Sequence, residues 1–273
     1  MKCWQKNKKL TGYGLALPMV VGFTMFYVIP VFVMCWYSVS WGIGKREFVG
    51  LENFVDLFRN EMFLLAAKNT FRFLCVGVPC ILILSLVVAL MLQKVVKISS
   101  RLRTIYFYPL LIPIASLVMF VQNIFGEDMI ESEQAFWILC LIYVWKFFGY
   151  HVLIMYARLQ MIPKDYYDNA RLYGAGTWER FHFITMPLLM PVFLFNVVLA
   201  VMNAFKCYRE AFLLGGNYPD ESVYLLQHFI NNSFQNLNYQ KISTTSVSLL
   251  VVILICVGIC YMIYRLGRRR QYA

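Results

Sequence analysis

Polar and aromatic side chains that can contact a solute occur inside two long apolar stretches of this sequence. Tyr143, Trp145 and Lys146 are near neighbours in one stretch, whereas Asn196 and Asn203 lie seven residues apart in the other. Seven residues are two helical turns, so the two asparagines share one face of a helix. A lysine near the middle of an apolar span costs at least ~2.5 kcal/mol, which favours a position inside a bundle. These five residues are candidates for a polar path across a membrane.

Each candidate also has an interpretation without a ligand. Lys146 can form an ion pair or contact a carbonyl of another helix, in a partner subunit, instead of contacting a solute. The two asparagines can hydrogen-bond between helices. Aromatic faces stack on sugar rings, but aromatic residues make up 17% of the chain and are common in membrane interiors. The sequence leaves these alternatives open.

No residue pattern points to catalysis or to a bound metal. His151, His182 and His228 are too scattered to indicate a metal site, and the eight cysteines contain no C-x-x-C pair. The phosphate-binding pattern G-x-x-x-x-G-K-[ST] does not occur, so the chain is not expected to cradle ATP phosphates itself. We therefore expect a protein that is not an enzyme and binds neither a cofactor nor a metal.

The elements that must position the polar residues are predicted from hydropathy. The chain has 273 residues, of which 60% are hydrophobic and 14% charged, and its mean hydropathy is +0.62. A bilayer core of about 30 Å needs about 20 apolar residues per helix. Six such stretches predict an all-α membrane protein with six transmembrane helices in a single domain, residues 1–273. They are Leu10–Gly44, Phe73–Gln93, Thr104–Gly126, Gln134–Ala157, Phe183–Phe205 and Ile242–Tyr264.

Proline is unusually frequent in and beside these spans. Proline removes a helical hydrogen bond, which a membrane helix tolerates where neighbouring groups satisfy the backbone. The kinks fit either an ordinary packed bundle or helices around a path that opens and closes, and the sequence favours neither. The seven prolines are Pro18, Pro30, Pro79, Pro109, Pro113, Pro187 and Pro191.

The distribution of lysine and arginine predicts the orientation. Sixteen of the 25 basic residues, but only three acids, fall in the two termini and in two alternate connections. Basic residues concentrate on the cytoplasmic side of membrane proteins. We expect a cytoplasmic N-terminus (residues 1–10), a cytoplasmic connection (about residues 158–180) and a cytoplasmic tail (residues 265–273), in a multi-pass protein of the cell membrane. The net charge of +11 then reflects contact with anionic lipid rather than nucleic acid.

Two connections on the opposite side are expected to be external. The segment after the first span carries Leu51, Phe54, Val55 and Phe58 at helical spacing, which predicts a short amphipathic helix at the interface. The longest external connection is expected at residues 207–241.

The connection before the fifth span contains its own pattern, DYYDNARLYGAGTWERF at residues 165–181. Pro163 suits the first turn of a helix, and two acids follow near its positive end. Gly174 can take the left-handed conformation that ends a helix. Thr177 can then cap a second helix that leads into the fifth span. The pattern predicts a helix, a glycine turn and a second helix.

This region resembles the permease subunits of binding-protein-dependent ABC importers, in the form typical of carbohydrate importers. The family pattern is I-P, a Glu-Ala-Ala triplet, an Asp-Gly-Ala triplet, an aromatic residue, a Phe and I-T-x-P-L-x-x-P, known as the EAA loop. The strings YFYPLLIP and LLGGNYPDES are also similar, and VGLENFVDLF resembles permeases like the larger maltose subunit, so the resemblance covers nearly the whole chain. The matching residues of the loop are Ile162, Pro163, Ala170, Gly174, Ala175, Trp178, Phe181, Ile184, Thr185, Pro187, Leu188, Leu189 and Pro191.

Two triplets depart from the family pattern. The first reads Asp168-Asn169-Ala170, which keeps an acid, and the second reads Tyr173-Gly174-Ala175, which loses one. These departures bear on the substrate more than on the architecture.

The resemblance implies a transport subunit with separate partners. It implies a second, similar permease, two ATPase subunits that use ATP and Mg²⁺, and an external binding protein that delivers a sugar. The loop would act as a cytoplasmic coupling helix between the fourth and fifth spans, docking into an ATPase cleft. The resemblance assigns this contact to Asp168, Ala170, Leu172, Gly174 and Ala175.

Other functions are weighed against this one. A glycerol-phosphate or polyamine permease of the same class is the nearest alternative. An ion-coupled secondary transporter would favour inverted repeats and buried acids, and the sequence shows neither. An intramembrane enzyme would need a catalytic pair at matching depth, and none is visible.

Overall fold

The computed structural model describes residues 15–42, 47–93 and 100–271, and these are mostly helical. The expected N-terminus (residues 1–10), residues 94–99 of the basic turn after the second span, and residues 272–273 of the tail lie outside the described residues. The described helices are α1 (Leu15–Ser38), α2 (Glu52–Arg59), α3 (Glu61–Gln93), α4 (Ser100–Leu111), α5 (Ile114–Phe125), α6 (Glu127–Ile130), α7 (Ala135–Gln160), α8 (Lys164–Leu172), α9 (Thr177–Gly215), α10 (Leu226–Gln235) and α11 (Tyr239–Gln271).

The structure confirms an all-α membrane protein. Helices α1, α3, α7 and α9, together with Tyr239–Ile259 of α11, are long and apolar enough to cross a bilayer. A sixth crossing is present if α4 and α5 form one broken span, because their apolar parts meet at a bend of 87°.

The bend corrects the expectation of an uninterrupted third span. Pro113 has a ψ of 134° and lies just before α5, so the backbone is extended where the predicted helix would continue. Proline also disfavours the helical conformation of the residue before it, here Ile112. Helix α4 therefore ends at Leu111, and a new helix starts beyond the proline.

Two other prolines are accommodated by one wide turn of π-helix. These turns are Thr24–Val28 in α1 and Phe181–Thr185 in α9, and each ends two residues before a proline. The residue that precedes the proline donates its N–H five residues back, from Ile29 to Thr24 and from Met186 to Phe181. Proline lacks an N–H, and its ring clashes with the carbonyl four residues earlier in a regular α-helix. The wide turn lets both helices continue through the proline.

The chain divides into two compact units, residues 1–60 with 233–252 and residues 61–232 with 253–273. In the first unit, β1 (Ser40–Trp41) and β2 (Glu47–Phe48) pair antiparallel. Asn53 of α2 is buried, and its amide donates to the carbonyls of Ser38 and Ser40, both at 3.0 Å.

Helix α2 is the short amphipathic helix that the sequence predicts after the first span. Leu57 and Asn53 form its buried side, whereas Leu51, Val55 and Phe58 of the predicted apolar face are exposed. An exposed apolar face suits a helix at a membrane interface.

The second unit has its core between α3 and α7, with α4 and α9 packed against these helices. Phe73 of α3 makes edge-to-face contacts with Phe136 and Tyr143 of α7, at centroid distances of 6.5 and 5.4 Å. Helix α4 crosses α7 so closely that a Cβ atom on Gly149 would lie 2.0 Å from the carbonyl oxygen of Tyr106. Small residues permit such close backbone approach in membrane bundles.

Candidate coupling elbow and polar interface

The connection between α7 and α9 has the helix, turn and helix that its sequence predicts. We call residues 163–180 the elbow. Helix α8 ends in a Schellman motif, in which Ala175 N–H donates to Ala170 O and Gly174 N–H donates to Arg171 O, both at 2.9 Å. Gly174 has a φ of +82°, the left-handed conformation expected of it. The turn therefore depends on a residue without a Cβ atom.

The start of α9 corrects one detail. Gly176, not Thr177, is the N-cap residue, and its N–H donates to the Glu179 carboxylate at 2.7 Å. A glutamate three residues after the N-cap can reach back to the cap N–H in this way. Thr177 is the first helical residue, and its hydroxyl accepts from Arg180 at 3.2 Å.

The elbow presents large side chains to its surroundings. No residue of α8 is buried. Leu172, Tyr173 and Trp178 are 85%, 92% and 74% exposed. Asp168 is also exposed and lies 3.4 Å from Arg171 of the same helix. Exposed apolar groups of this size are typical of interaction sites.

The base of the elbow is attached to the helices on both sides. Ile162 is buried just before α8. The Tyr167 hydroxyl lies 3.0 Å from the Thr185 hydroxyl of α9. At the end of α7, Arg158 Nε donates to the Leu188 carbonyl of α9 at 3.0 Å. The elbow therefore projects from a hydrogen-bonded base.

Four of the five candidate path residues lie inside the chain. Lys146 of α7 forms a buried ion pair with Glu210 of α9. Lys146 thus has its partner within this chain rather than in another subunit. Glu210 also corrects the expectation that no acid is buried. The ion pair gives each of these two buried charges a partner of opposite sign.

Asn196 takes part in a hydrogen bond between helices. Its amide nitrogen donates to Val192 O at 3.2 Å, and its Oδ1 lies 2.7 Å from His151 Nδ1. Because the Asn196 nitrogen donates elsewhere, its oxygen accepts and His151 Nδ1 carries the proton. Both side chains are fully buried. This is the contact that the alternative interpretation of Asn196 expects.

Of the remaining candidate path residues, two are buried and one is exposed. The Tyr143 hydroxyl donates to Ala200 O at 2.9 Å, and Asn203 is buried. Trp145, by contrast, is 43% exposed. The structure therefore brings Tyr143, Lys146 and Asn196 into contacts between α7 and α9. Asn203 is buried on α9, and Trp145 lies on the exposed surface of α7.

Sequence reasoning missed Glu210, although a signal for it was present. Asn196, Asn203 and Glu210 are spaced by seven residues, and all three are buried. The expected fifth span ended at Phe205, but the helix continues to Gly215 and carries the spacing one step further. A longer helix would have placed Glu210 on the face of the two asparagines.

A second buried polar group lies in residues 207–232, which we call the connector. Asn69 of α3 donates to the carbonyls of Glu221 and Tyr224, the latter at 3.1 Å. Thr70 accepts from Leu226 N–H at 2.9 Å. The side chains of α3 thereby fix the part of the connector before α10.

His228 completes this group. It is fully buried, its Nδ1 accepts from Leu225 N–H at 3.1 Å, and its ring contacts Tyr208 and Tyr224. Burial lowers the pKa of His228 to about 4, because a charged imidazole would be poorly solvated there. The ring is therefore neutral at pH 7. Among the described residues, no group of three His, Cys, Asp or Glu can hold a metal ion.

Comparison with known proteins finds relatives that are all described as permease proteins of transport systems. YesP of Bacillus subtilis, described as "Probable ABC transporter permease protein YesP", is 30% identical over 83% of this chain and 82% of its own length. The sn-glycerol-3-phosphate transport system permease protein UgpA of Yersinia pestis is 29% identical over 94% of each chain. The trehalose/maltose transport system permease protein MalF of Thermococcus litoralis is 27% identical over 95% of this chain and 94% of its own.

A solved structure has the same fold. It is the crystal structure of a bacterial ABC transporter involved in the import of the acidic polysaccharide alginate, with a TM-score of 0.79 and 20% identity, covering 97% of this chain and 99% of that one. The family described as "Binding-protein-dependent transport system inner membrane component" matches residues 81–271. This range includes α7, the elbow and α9, and the chain is accordingly a membrane-spanning permease of that family.

Proposed function

We propose that this chain is one of two permease subunits of an ABC importer and forms half of the path for a sugar or oligosaccharide. An external binding protein delivers the substrate, and two ATPase subunits supply the energy. The exposed elbow carries this proposal, since Leu172, Tyr173 and Trp178 are largely exposed on it in the described part of the chain. Relatives named for lactose, trehalose/maltose and arabinooligosaccharide transport support the substrate class.

In this proposal the elbow docks into an ATPase cleft on the cytoplasmic side. Helix α8 supplies Asp168, Ala170 and Leu172 to the contact, while Gly174 and Ala175 set its shape. Both termini are cytoplasmic and the connector is external. ATP and Mg²⁺ bind to the partner ATPase and not to this chain, which has no phosphate-binding loop.

The candidate path residues fall into an exposed one and four buried ones, and we propose a different role in the translocation path for each group. Trp145 is exposed and faces the solute or the second permease. Tyr143, Lys146 and Asn196 hold α7 against α9, because each has a hydrogen-bond or ion-pair partner across this interface. Asn203 is buried on α9, two turns after Asn196. In this proposal these residues position the helices that form the wall of the path and do not line the path themselves.

A second candidate substrate is sn-glycerol-3-phosphate. It is favoured by the 29% identity to the glycerol-3-phosphate permease over 94% of each chain. The two candidates share the importer architecture and differ in the charge of the transported molecule.

Expression with the permease, ATPase and binding protein encoded by neighbouring genes tests the proposal. We expect the ATPase to co-purify, and membrane vesicles to take up a sugar only with ATP and the binding protein. Maltose, trehalose, lactose, alginate pentasaccharide and sn-glycerol-3-phosphate are suitable probes. If the vesicles take up sn-glycerol-3-phosphate and none of the sugars, the substrate is a phosphate ester rather than a sugar. If the ATPase does not co-purify, the proposal of an ABC importer is wrong. Uptake that is driven by an ion gradient in the absence of the ATPase would also contradict the proposal.

A further inference from the structure

Two adjacent tyrosines in the elbow have opposite environments. Tyr166 is more than half exposed, whereas Tyr167 is partly buried and packs against the hydrophobic core. The Tyr167 hydroxyl reaches Thr185, a buried residue of the π-turn in α9, at 3.0 Å. Tyr166 is therefore exposed and outside the residues assigned to the ATPase contact, whereas Tyr167 is held by contacts within the chain.

A second contact favours Tyr167 as the donor in this hydrogen bond. The Thr185 hydroxyl lies 3.4 Å from the carbonyl oxygen of Arg180, which can only accept. A threonine has one hydroxyl proton, so when it donates to Arg180 its oxygen accepts from Tyr167. The contacts form a chain from α8, through Thr185, to the first turn of α9.

This series of hydrogen bonds crosses the junction between the glycine turn and α9. The Schellman hydrogen bonds fix the turn as far as Ala175. Gly176 follows with an extended ψ of 172°, and the helical hydrogen bonds of α9 begin from its carbonyl. Rotation at Ala175 and Gly176 would swing α8 relative to α9, and the Tyr167–Thr185 contact opposes this rotation.

We propose that Tyr167 and Thr185 are positioning residues that hold α8 at the angle needed to dock the ATPase and to pass its movement to α9. The inference rests on the proposed function, because it concerns the same docking surface. Neither side chain touches the ATPase. Each acts by keeping a larger fraction of the free permease in the docking orientation, which raises its apparent affinity in proportion.

The test compares Tyr167→Phe with Tyr166→Phe in the assembled permease pair. Each variant loses one hydroxyl and keeps its ring. We expect Tyr167→Phe to raise the dissociation constant for the purified ATPase subunit about fivefold, the factor associated with one ordinary hydrogen bond. Permease yield and gel-filtration profile should stay unchanged. Tyr166→Phe should bind within about twofold of the wild type, since its hydroxyl lies on the exposed side.

Thr185 supplies a rescue that a purely structural role would not predict. Thr185→Val should weaken ATPase binding as Tyr167→Phe does, Thr185→Ser should restore it, and the double variant should be no weaker than either single variant. Equal affinity of Tyr167→Phe and Tyr166→Phe, or additive losses in the double variant, would overturn the positioning role. A wild-type permease that binds no ATPase would instead overturn the proposed function, on which this inference rests.

Discussion

The elbow and the connector both join membrane-length helices, but they differ in the burial of their polar and aromatic residues. Helix α8 of the elbow buries no residue, and its neighbours Tyr173 and Trp178 are largely exposed. The connector buries Glu210, Tyr224 and His228. The polar groups of the connector find their contacts within the chain, whereas the elbow leaves large side chains exposed. Substitutions in the connector should therefore change stability first, and substitutions in the elbow should change partner binding first.

The strongest test of this contrast is Glu210→Ala. It leaves Lys146 as a buried charge without its partner, which typically costs about 3–5 kcal/mol. We expect a loss of that size in the unfolding free energy of the purified permease in detergent, measured by denaturant titration.

Two further variants control this measurement. Glu131→Ala removes an exposed acid and should change the unfolding free energy by less than about 0.5 kcal/mol. Lys146→Met combined with Glu210→Leu removes both charges and should recover most of the loss. If Glu210→Ala were as stable as Glu131→Ala, the ion pair would not stabilise the connector.

A somewhat smaller loss of unfolding free energy is expected when the pH is lowered. The pKa of His228 is lowered from 6.5 to about 4 in the folded chain, so the unfolded chain binds more protons between these values. Stability should therefore fall as pH drops from about 6.5 to 4, by on the order of 3 kcal/mol from this group. His228→Gln should remove this part of the pH dependence, measured as the unfolding free energy at each pH. A pH profile of His228→Gln that equals the profile of the wild type would contradict the assignment.

The smallest cost to the fold, with the largest cost to binding, is expected for Gly174→Val. A residue with a Cβ atom at a φ of +82° costs roughly 1–2 kcal/mol. Relief of that strain re-aims α8, so co-purification of the ATPase should be lost while permease yield stays near normal. Gly176→Ala is the matched control, because Gly176 has a φ of −69° and a Cβ there would come no closer than 3.8 Å to another side chain. Retention of the ATPase by Gly174→Val would show that the shape of the turn does not matter for docking.

The elbow was predictable because its determinants are local. Pro163, the acids after it and Gly174 lie within a dozen residues, and each acts on the backbone beside it. The N-cap was misplaced by one residue, since Gly176 and Thr177 both suit that position and the Glu179 contact decides between them. Such a choice depends on side-chain geometry rather than residue type.

The polar interface was only partly predictable because its partners are distant in the chain. Lys146 was expected to face inward, and it does, but Glu210 lies 64 residues away. Asn69 and Tyr224 are separated by 155 residues. Hydropathy shows that a polar residue needs a partner, whereas the packing of α3, α7 and α9 determines which one.

The π-turn at Phe181–Thr185 has a consequence for any experiment that assigns faces to α9 by residue number. A π-turn inserts one residue into the helix, and one residue corresponds to about 100° of rotation. Residues before Phe181 and after Met186 are therefore out of phase by that angle on a single helical wheel. A helical wheel phased from Trp178 would therefore misplace Asn196 and Asn203 by about 100° in a cysteine-accessibility scan, whereas a wheel begun at Met186 keeps them in phase with the rest of α9 after the π-turn.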